Sequence, residues 1–308
     1  MSRKNLSDYN LLTVLGTTAT GKTRFAVEIA GRFNGEILSA DSRQVYRNMN
    51  LGTGKDLDEY ETAGGSVPYH LIDIAEPVED YNLFRFVNDF KSAYQDIISR
   101  GRLPVLCGGT GLYINAVISG YRLSAVNQDE SRQELEQLSH QELIDLLNSL
   151  DHSLHNTTDI TDRDRTLQAV RIKLAERESA APFIKADCRS LNIGLRLERS
   201  EVRERITARL KNRLDAGMAD EVKSLMNNGI SVERLKYFGL EYKFIGMYLS
   251  GEINYNDMFQ KLNAAIHDFA KRQETWFRRM ERNGIVIHWF SPFQTEEAAA
   301  FIRKEYFG

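Results

Sequence analysis

The chain has 308 residues, of which 42% are hydrophobic and 27% charged, with a formal net charge of −3. That length exceeds one typical domain, the composition is ordinary for a soluble globular protein, and the weak negative charge does not by itself advertise a nucleic-acid binder. With no apolar N-terminal leader, no membrane-length apolar run and only two unpaired-looking cysteines, Cys107 and Cys188, the expected setting is a reducing cytosol, without a membrane segment, zinc site or disulfide framework.

In chain order, Leu11–Leu15 is a short β-prone run, followed by Gly16-Thr17-Thr18-Ala19-Thr20-Gly21-Lys22-Thr23, a full match to the phosphate-loop pattern. Phe25, Ala26, Ile29, Ala30 and Phe33 then recur at helical spacing. A strand thus feeds a Gly-rich turn at a helix N-terminus, where backbone N–H groups and the helix dipole favour an anion. Lys22 adds a positive charge, and the Thr23 hydroxyl can reach a phosphate-bound Mg2+. Glu36–Ala40 is expected as a second strand, Leu83–Ile98 as a helix and Arg102–Cys107 as a third strand. Cys107 is expected to be buried at that strand's end. Strands alternating with helices predict a parallel α/β sheet, which binds ligands at the carboxyl ends of its strands.

From about residue 120 the pattern becomes helical. Ser131–Leu150, with a capping box at Ser139-His140-Gln141-Glu142, and Asp164–Arg177 read as polar amphipathic helices. Residues 121–190 are therefore expected to form a helical insertion, and 1–120 with 191–308 a P-loop NTPase-like α/β core. Ile193–Leu197 reads as a strand returning to the sheet. Two later helical stripes, Val202-Ile206-Leu210-Leu214 and Met258-Leu262-Ile266-Phe269, are expected to face the core, and Ile285–Phe290 reads as a last strand. Residues 191–282 carry 17 Lys/Arg against 13 Asp/Glu, whereas 121–190 carry 9 against 13. A solvated helical surface explains that asymmetry as well as a nucleic-acid face does.

Three segments beyond the phosphate loop carry chemistry. Asp41, in Ala40-Asp41-Ser42-Arg43-Gln44-Val45-Tyr46, ends the second strand and can serve as general base, metal ligand or helix cap. Gly108-Gly109-Thr110-Gly111-Leu112-Tyr113 stands where phosphate-loop NTPases usually end a strand in a Mg2+-binding Asp. It offers glycines for close approach to a ligand and the Thr110 hydroxyl for a hydrogen bond, or else a helix-capping turn. Lys271-Arg272-Gln273-Glu274-Thr275-Trp276-Phe277-Arg278-Arg279 places Lys271, Thr275 and Arg278 on one helical face and Arg272, Trp276 and Arg279 on another.

Together with L-G-T-G-K at 51–55, P-Y-H-L-I-D at 68–73 and F-G-L-E-Y-K at 238–243, these segments resemble the tRNA dimethylallyltransferases of bacterial type, in order over roughly residues 10–290. The resemblance implies transfer of a dimethylallyl group from its diphosphate to N6 of adenosine 37, beside the anticodon of tRNAs reading codons that begin with U. It implies that Gly16 to Thr23 and Lys243 hold the diphosphate, with Mg2+ at Thr23. Asp41 and Thr110 then carry the catalysis, and Asp41, Ser42, Arg43, Gln44 and Thr110 hold the base and its neighbours. Lys236, Lys271, Arg272 and Gln273, with Arg132, Arg165 and Gln168 of the insertion, become tRNA contacts. The insertion is expected to grip the anticodon stem-loop of a monomeric, cytoplasmic enzyme. Lys243, His267 and Gln168 stand where the family often has Arg, which leaves the detailed phosphate and RNA contacts open. Two rival readings are a phosphate-loop kinase, which would consume ATP, and a prenyltransferase acting on free adenine nucleotides.

Overall fold

The computed structural model describes residues 8–62, 64–119, 135, 137–150, 163, 166, 167, 169, 170 and 188–308. The chain divides into two compact units, Met1–Ile118 with Asp187–Gly308, and Ser119–Ala186.

In the first unit a six-stranded parallel sheet lies between helices, with strand order β5-β2-β6-β1-β7-β8. The strands are β1 Leu11–Gly16, β2 Gly35–Ala40, β5 Tyr69–His70, β6 Leu103–Gly108, β7 Ser190–Leu195 and β8 His288–Phe290; β3 Glu61–Thr62 and β4 Gly65–Ser66 form a separate small hairpin. β1, β2 and β6 are buried along their whole length, as a parallel sheet covered on both faces requires. The one hydroxyl inside β1, Thr13, is matched by Ser190 at 2.7 Å. α1, Lys22–Arg32, packs Phe25, Ala26, Ile29 and Ala30 onto the sheet. α2, Leu83–Ser99, is started by Asn82, whose side chain accepts from the Arg85 N–H, and buries Phe86, which stacks at 4.0 Å on Tyr113 of α3, Gly111–Ser119.

β7 begins three residues earlier than Ile193 because Ser190 and Leu191 already pair with Leu11 and Leu12. β8 is shorter than Ile285–Phe290, since Val286 is exposed. Four helices, α5 Arg199–Asp215, α6 Met218–Asn227, α7 Val232–Tyr237 and α8 Leu240–Leu249, lead to the 28-residue α9, Tyr255–Arg282, and α10, Thr295–Ile302, follows β8. Ile206 and Leu210 of the first stripe are buried. The second stripe runs Met258, Leu262, Ile266, Ala270, Gln273, Phe277 and Met280, leaving Phe269 38% exposed with the Arg272 guanidinium against its ring. At 3.6 residues per turn, Ala270 and not Phe269 continues the face set by Ile266.

In the second unit, α4, His140–Leu150, buries Leu143 and Leu147 with Leu135, Leu167 and Val170. The expected capping box forms: Glu142 accepts from the Ser139 N–H at 2.7 Å, and Ser139 Oγ accepts from the Glu142 N–H at 3.3 Å.

Of the L-G-T-G-K and P-Y-H-L-I-D segments, Lys55, Leu71 and Ile72 are buried in the first unit, while Pro68 and Tyr69 stay exposed. Lys55 is 1% exposed and donates to the Tyr46 carbonyl at 2.6 Å, to Asn50 Oδ1 at 3.0 Å and to the Asp73 carboxylate. Glu221 of α6 accepts from the backbone N–H groups of Asn50, Leu51 and Gly52 and from the Tyr242 hydroxyl.

Candidate active site

Strand register decides where the chemistry collects. Gly108 is paired with both Leu15 and Ala40, so β1, β6 and β2 end level and the three loops that follow emerge side by side. These loops carry the phosphate-loop residues, Thr110 and Asp41, which the sequence places far apart.

The phosphate loop turns on Ala19 and Gly21, at φ 63° and 80°, a left-handed conformation that glycine adopts without penalty. No side chain caps the N-terminus of α1. The Thr17 carbonyl accepts from Lys22 Nζ at 2.7 Å and from Thr20 Oγ1 at 2.8 Å. Burial pulls the Lys22 ammonium down to about 8, with Arg209 adding to the effect and Cys107 and Asp41 opposing it. A cation kept beside a cluster of backbone amides, with no carboxylate bonded to it, suits an incoming anion.

In the second loop Asp41 Oδ1 accepts from the Arg43 N–H at 2.9 Å, which fixes the carboxylate and leaves Oδ2 without a hydrogen bond among the described residues. The Ser42 N–H donates to Thr110 Oγ1 at 3.3 Å, and the Thr110 N–H donates to the Ala40 carbonyl at 3.3 Å. Thr110 is thereby oriented with its own proton still able to donate. Gln44 is otherwise engaged: its amide accepts from Ser39 Oγ and donates to the Gly54 carbonyl, both at 3.0 Å.

The third loop explains why its strand ends in glycines. A Cβ on Gly108 would collide with the Ala40 carbonyl, one on Gly109 with the Gln273 amide and one on Gly111 with the Trp276 indole. Gly109 and Gly111 therefore admit the side chains of α9, where the sequence suggested close approach to a ligand, and no side chain fits at the end of β6. Gln273 itself is buried; it accepts from the Thr18 N–H at 2.8 Å and donates to the Gly109 carbonyl at 2.9 Å.

Sequence reasoning missed Arg209 and Arg213, four residues apart on α5, whose guanidinium groups both meet Asp56, Arg209 at 3.2 Å and Arg213 at 2.9 Å. Burial and the neighbouring Arg213 lower the affinity of Arg209 for its proton. Glu59 and Glu241 share this neighbourhood, and burial raises both carboxyls. The available signal was the i,i+4 arginine pair on either side of the buried Leu210.

A family model described as IPP transferase covers residues 44–280, and one described as isopentenyl transferase covers 9–64. Curated tRNA dimethylallyltransferases from Trichlorobacter lovleyi and Pelobacter propionicus are each 54% identical, over 93% and 94% of this chain and 93% and 92% of theirs. The chain belongs to the tRNA dimethylallyltransferase family. The solved tRNA isopentenylpyrophosphate transferase of Bacillus halodurans is 33% identical, superposes with a TM-score of 0.70 and is covered over 97% of both chains. A eukaryotic dimethylallyltransferase solved acting on tRNA shares the fold at a TM-score of 0.74 and 21% identity. These relatives favour the transferase over the kinase reading.

Of the other residues implied by the family resemblance, Arg43 belongs to the second loop, Lys236 lies on α7, Lys243 on α8 and Lys271 and Arg272 on α9. Lys271 and Arg272 are exposed on α9. Lys236 lies 3.8 Å from Glu252. Lys243 is exposed, with its ammonium 5.4 Å from the Phe244 ring. Arg43 lies against the Tyr237 ring at 5.0 Å. Arg132, Arg165 and Gln168 lie outside the described residues. Among the described residues no cluster of three or more His, Cys, Asp or Glu side chains could hold a metal, and no helix is long and apolar enough to cross a membrane.

Proposed function

We propose that this protein transfers the dimethylallyl group of dimethylallyl diphosphate to N6 of adenosine 37 in tRNAs that read codons beginning with U. The observation that carries the reading is the meeting of an uncapped phosphate loop, the unpartnered Asp41 Oδ2 and the Thr110 hydroxyl at the carboxyl ends of β1, β2 and β6. The loop amides and Lys22 hold the diphosphate, and Arg209, whose charge is felt at Lys22, adds to the field there. Ionisation of the allylic C–O bond builds charge on the leaving diphosphate, and fixed donors there stabilise it at no reorganisation cost. Thr110 donates to the leaving oxygen. The acceptor amine is a poor nucleophile because its lone pair is delocalised into the purine, so Asp41 Oδ2 takes its proton as the N–C bond forms.

Thr23 fits a Mg2+ ion, since its hydroxyl is half-buried beside the loop and has no hydrogen bond among the described residues. Such an ion neutralises diphosphate charge and typically needs only one or two protein ligands. An adenine stacked in a loop cannot reach a diphosphate cradle unless it is flipped out. Ser42 and Arg43 are assigned to hold the extruded base and its neighbours. The 121–190 insertion, with Arg132, Arg165 and Gln168, is assigned to the anticodon stem-loop, and Lys236, Lys271 and Arg272 to the RNA backbone. The reaction is placed in the cytosol, with the enzyme acting as a monomer.

The test mixes the protein with labelled dimethylallyl diphosphate, Mg2+ and either unmodified tRNA or AMP, without ATP. Label is expected in tRNA alone. Label in AMP would move the function to free nucleotides, and no transfer without ATP would end the proposal.

A further inference from the structure

Gln273 carries a role that its place on a basic, exposed helix conceals. The Thr17–Thr18 peptide unit is held from both sides. Its carbonyl accepts from Lys22 and Thr20, and its N–H donates to Gln273 Oε1. A trans peptide points these groups in opposite directions, so the bond from Gln273 sets where the Lys22 docking carbonyl faces. On its other side the Gln273 amide donates to the Gly109 carbonyl, one residue before Thr110. Lys22, the Thr17–Thr18 peptide, the Gln273 amide and the Gly109 carbonyl thus form one hydrogen-bonded series of aligned dipoles, in which each bond strengthens the next.

The packing around this series admits little alternative. Gly109 has no room for a Cβ beside the Gln273 amide, nor Gly111 beside Trp276, which sits one turn further along α9. Met280, Phe277, Ala270 and Ile266 bury the same face of the helix and fix its height over the loops. The Gln273 side chain is 7% exposed, and its carbonyl and one amide hydrogen are engaged inside the protein, which is a poor arrangement for reading RNA.

We propose that Gln273 is a positioning residue that locks the phosphate loop to the Thr110 loop, so that the diphosphate cradle and the group acting on the leaving oxygen keep one spacing. This rests on the reading that the phosphate loop holds the diphosphate. It replaces the tRNA contact implied for Gln273 by the family resemblance with an internal role.

The experiment titrates inorganic diphosphate with Mg2+, and separately unmodified tRNA, into wild-type protein and Gln273→Met, which fills similar space without either bond. Losing bonds that orient a charged group is expected to weaken diphosphate binding roughly tenfold or more. The affinity for tRNA is expected to stay within about threefold, and turnover to fall with the diphosphate affinity. Gln273→Ala should show the same split, so a folding defect in one variant, visible in its thermal melt, does not end the test. Weakened tRNA binding with unchanged diphosphate binding would overturn the proposal, as would wild-type diphosphate affinity in both variants. A wild-type protein that binds no diphosphate would overturn the cradle reading and this proposal with it.

Discussion

Two Gly-rich segments of this molecule end in lysine, Gly16–Lys22 and Leu51–Lys55, and they use the same chemistry to opposite ends. In the second, consecutive backbone N–H groups converge on an anion, but the anion is the protein's own Glu221, held at 2.8–3.1 Å by Asn50, Leu51 and Gly52. Its lysine is saturated by the Tyr46 carbonyl, Asn50 and Asp73. In the first, the amides from Ala19 to Thr23 receive no side-chain acceptor among the described residues, and the lysine is parked on a backbone carbonyl. A nest filled from within holds helices together, whereas one left open awaits a ligand. Glycine content and a terminal lysine do not separate the two; the presence of an internal carboxylate does.

The largest expected effect lies beside the open nest. Asp41→Ala removes the base, and turnover should fall by roughly 10²–10⁴-fold while tRNA binding largely survives. If binding collapses as well, Asp41 serves recognition or structure. At the filled nest, Glu221→Ala strands three backbone N–H groups and the Tyr242 hydroxyl. Thermal and denaturant melts should show a loss of about 2–4 kcal/mol, with diphosphate affinity in the surviving folded protein unchanged. A variant as stable as wild type would remove the contrast between the two segments.

Lys22→Met should act the other way. Diphosphate affinity and turnover should fall together by roughly 10–100-fold, with little change in the melting temperature. A change in tRNA affinity alone would contradict the cradle role. The smallest effect is at Cys107, which faces the Lys22 carbonyl at 3.8 Å and whose thiol burial pushes up to about 12. Very little of the thiol is then ionised at pH 8, so alkylation should be slow in the native state and fast on unfolding. Rapid native alkylation of Cys107 would show that the strand end beneath the loop opens.

Much of the site was legible because its signals are local. A β-prone run, a Gly-rich turn and a helical apolar stripe give β1, the phosphate loop and α1, and the ends of β2 and β6 locate Asp41 and Thr110. What was hidden depends on long-range packing. Gly109 and Gly111 are small because α9 crosses them, Gln273 faces inward because Ile266 and Ala270 set the helix face, and Phe269 is exposed for the same reason. Arg209 and Arg213 stand out only when Asp56 is brought to them from more than 150 residues away. The L-G-T-G-K segment read as part of a functional signature, and its physical role became visible only with Glu221 and Asp73 in place.

The most direct measurement is a calorimetric titration of inorganic diphosphate with Mg2+ into wild-type, Lys22→Met and Glu221→Gln proteins. One diphosphate per chain is predicted, displaced by dimethylallyl diphosphate, weakened at least tenfold by Lys22→Met and unaffected by Glu221→Gln, whose single amide oxygen can still accept from the Asn50 and Leu51 N–H groups. Unaltered binding in Lys22→Met, or binding that follows Glu221 instead, would contradict the assignment of the open nest as the diphosphate cradle.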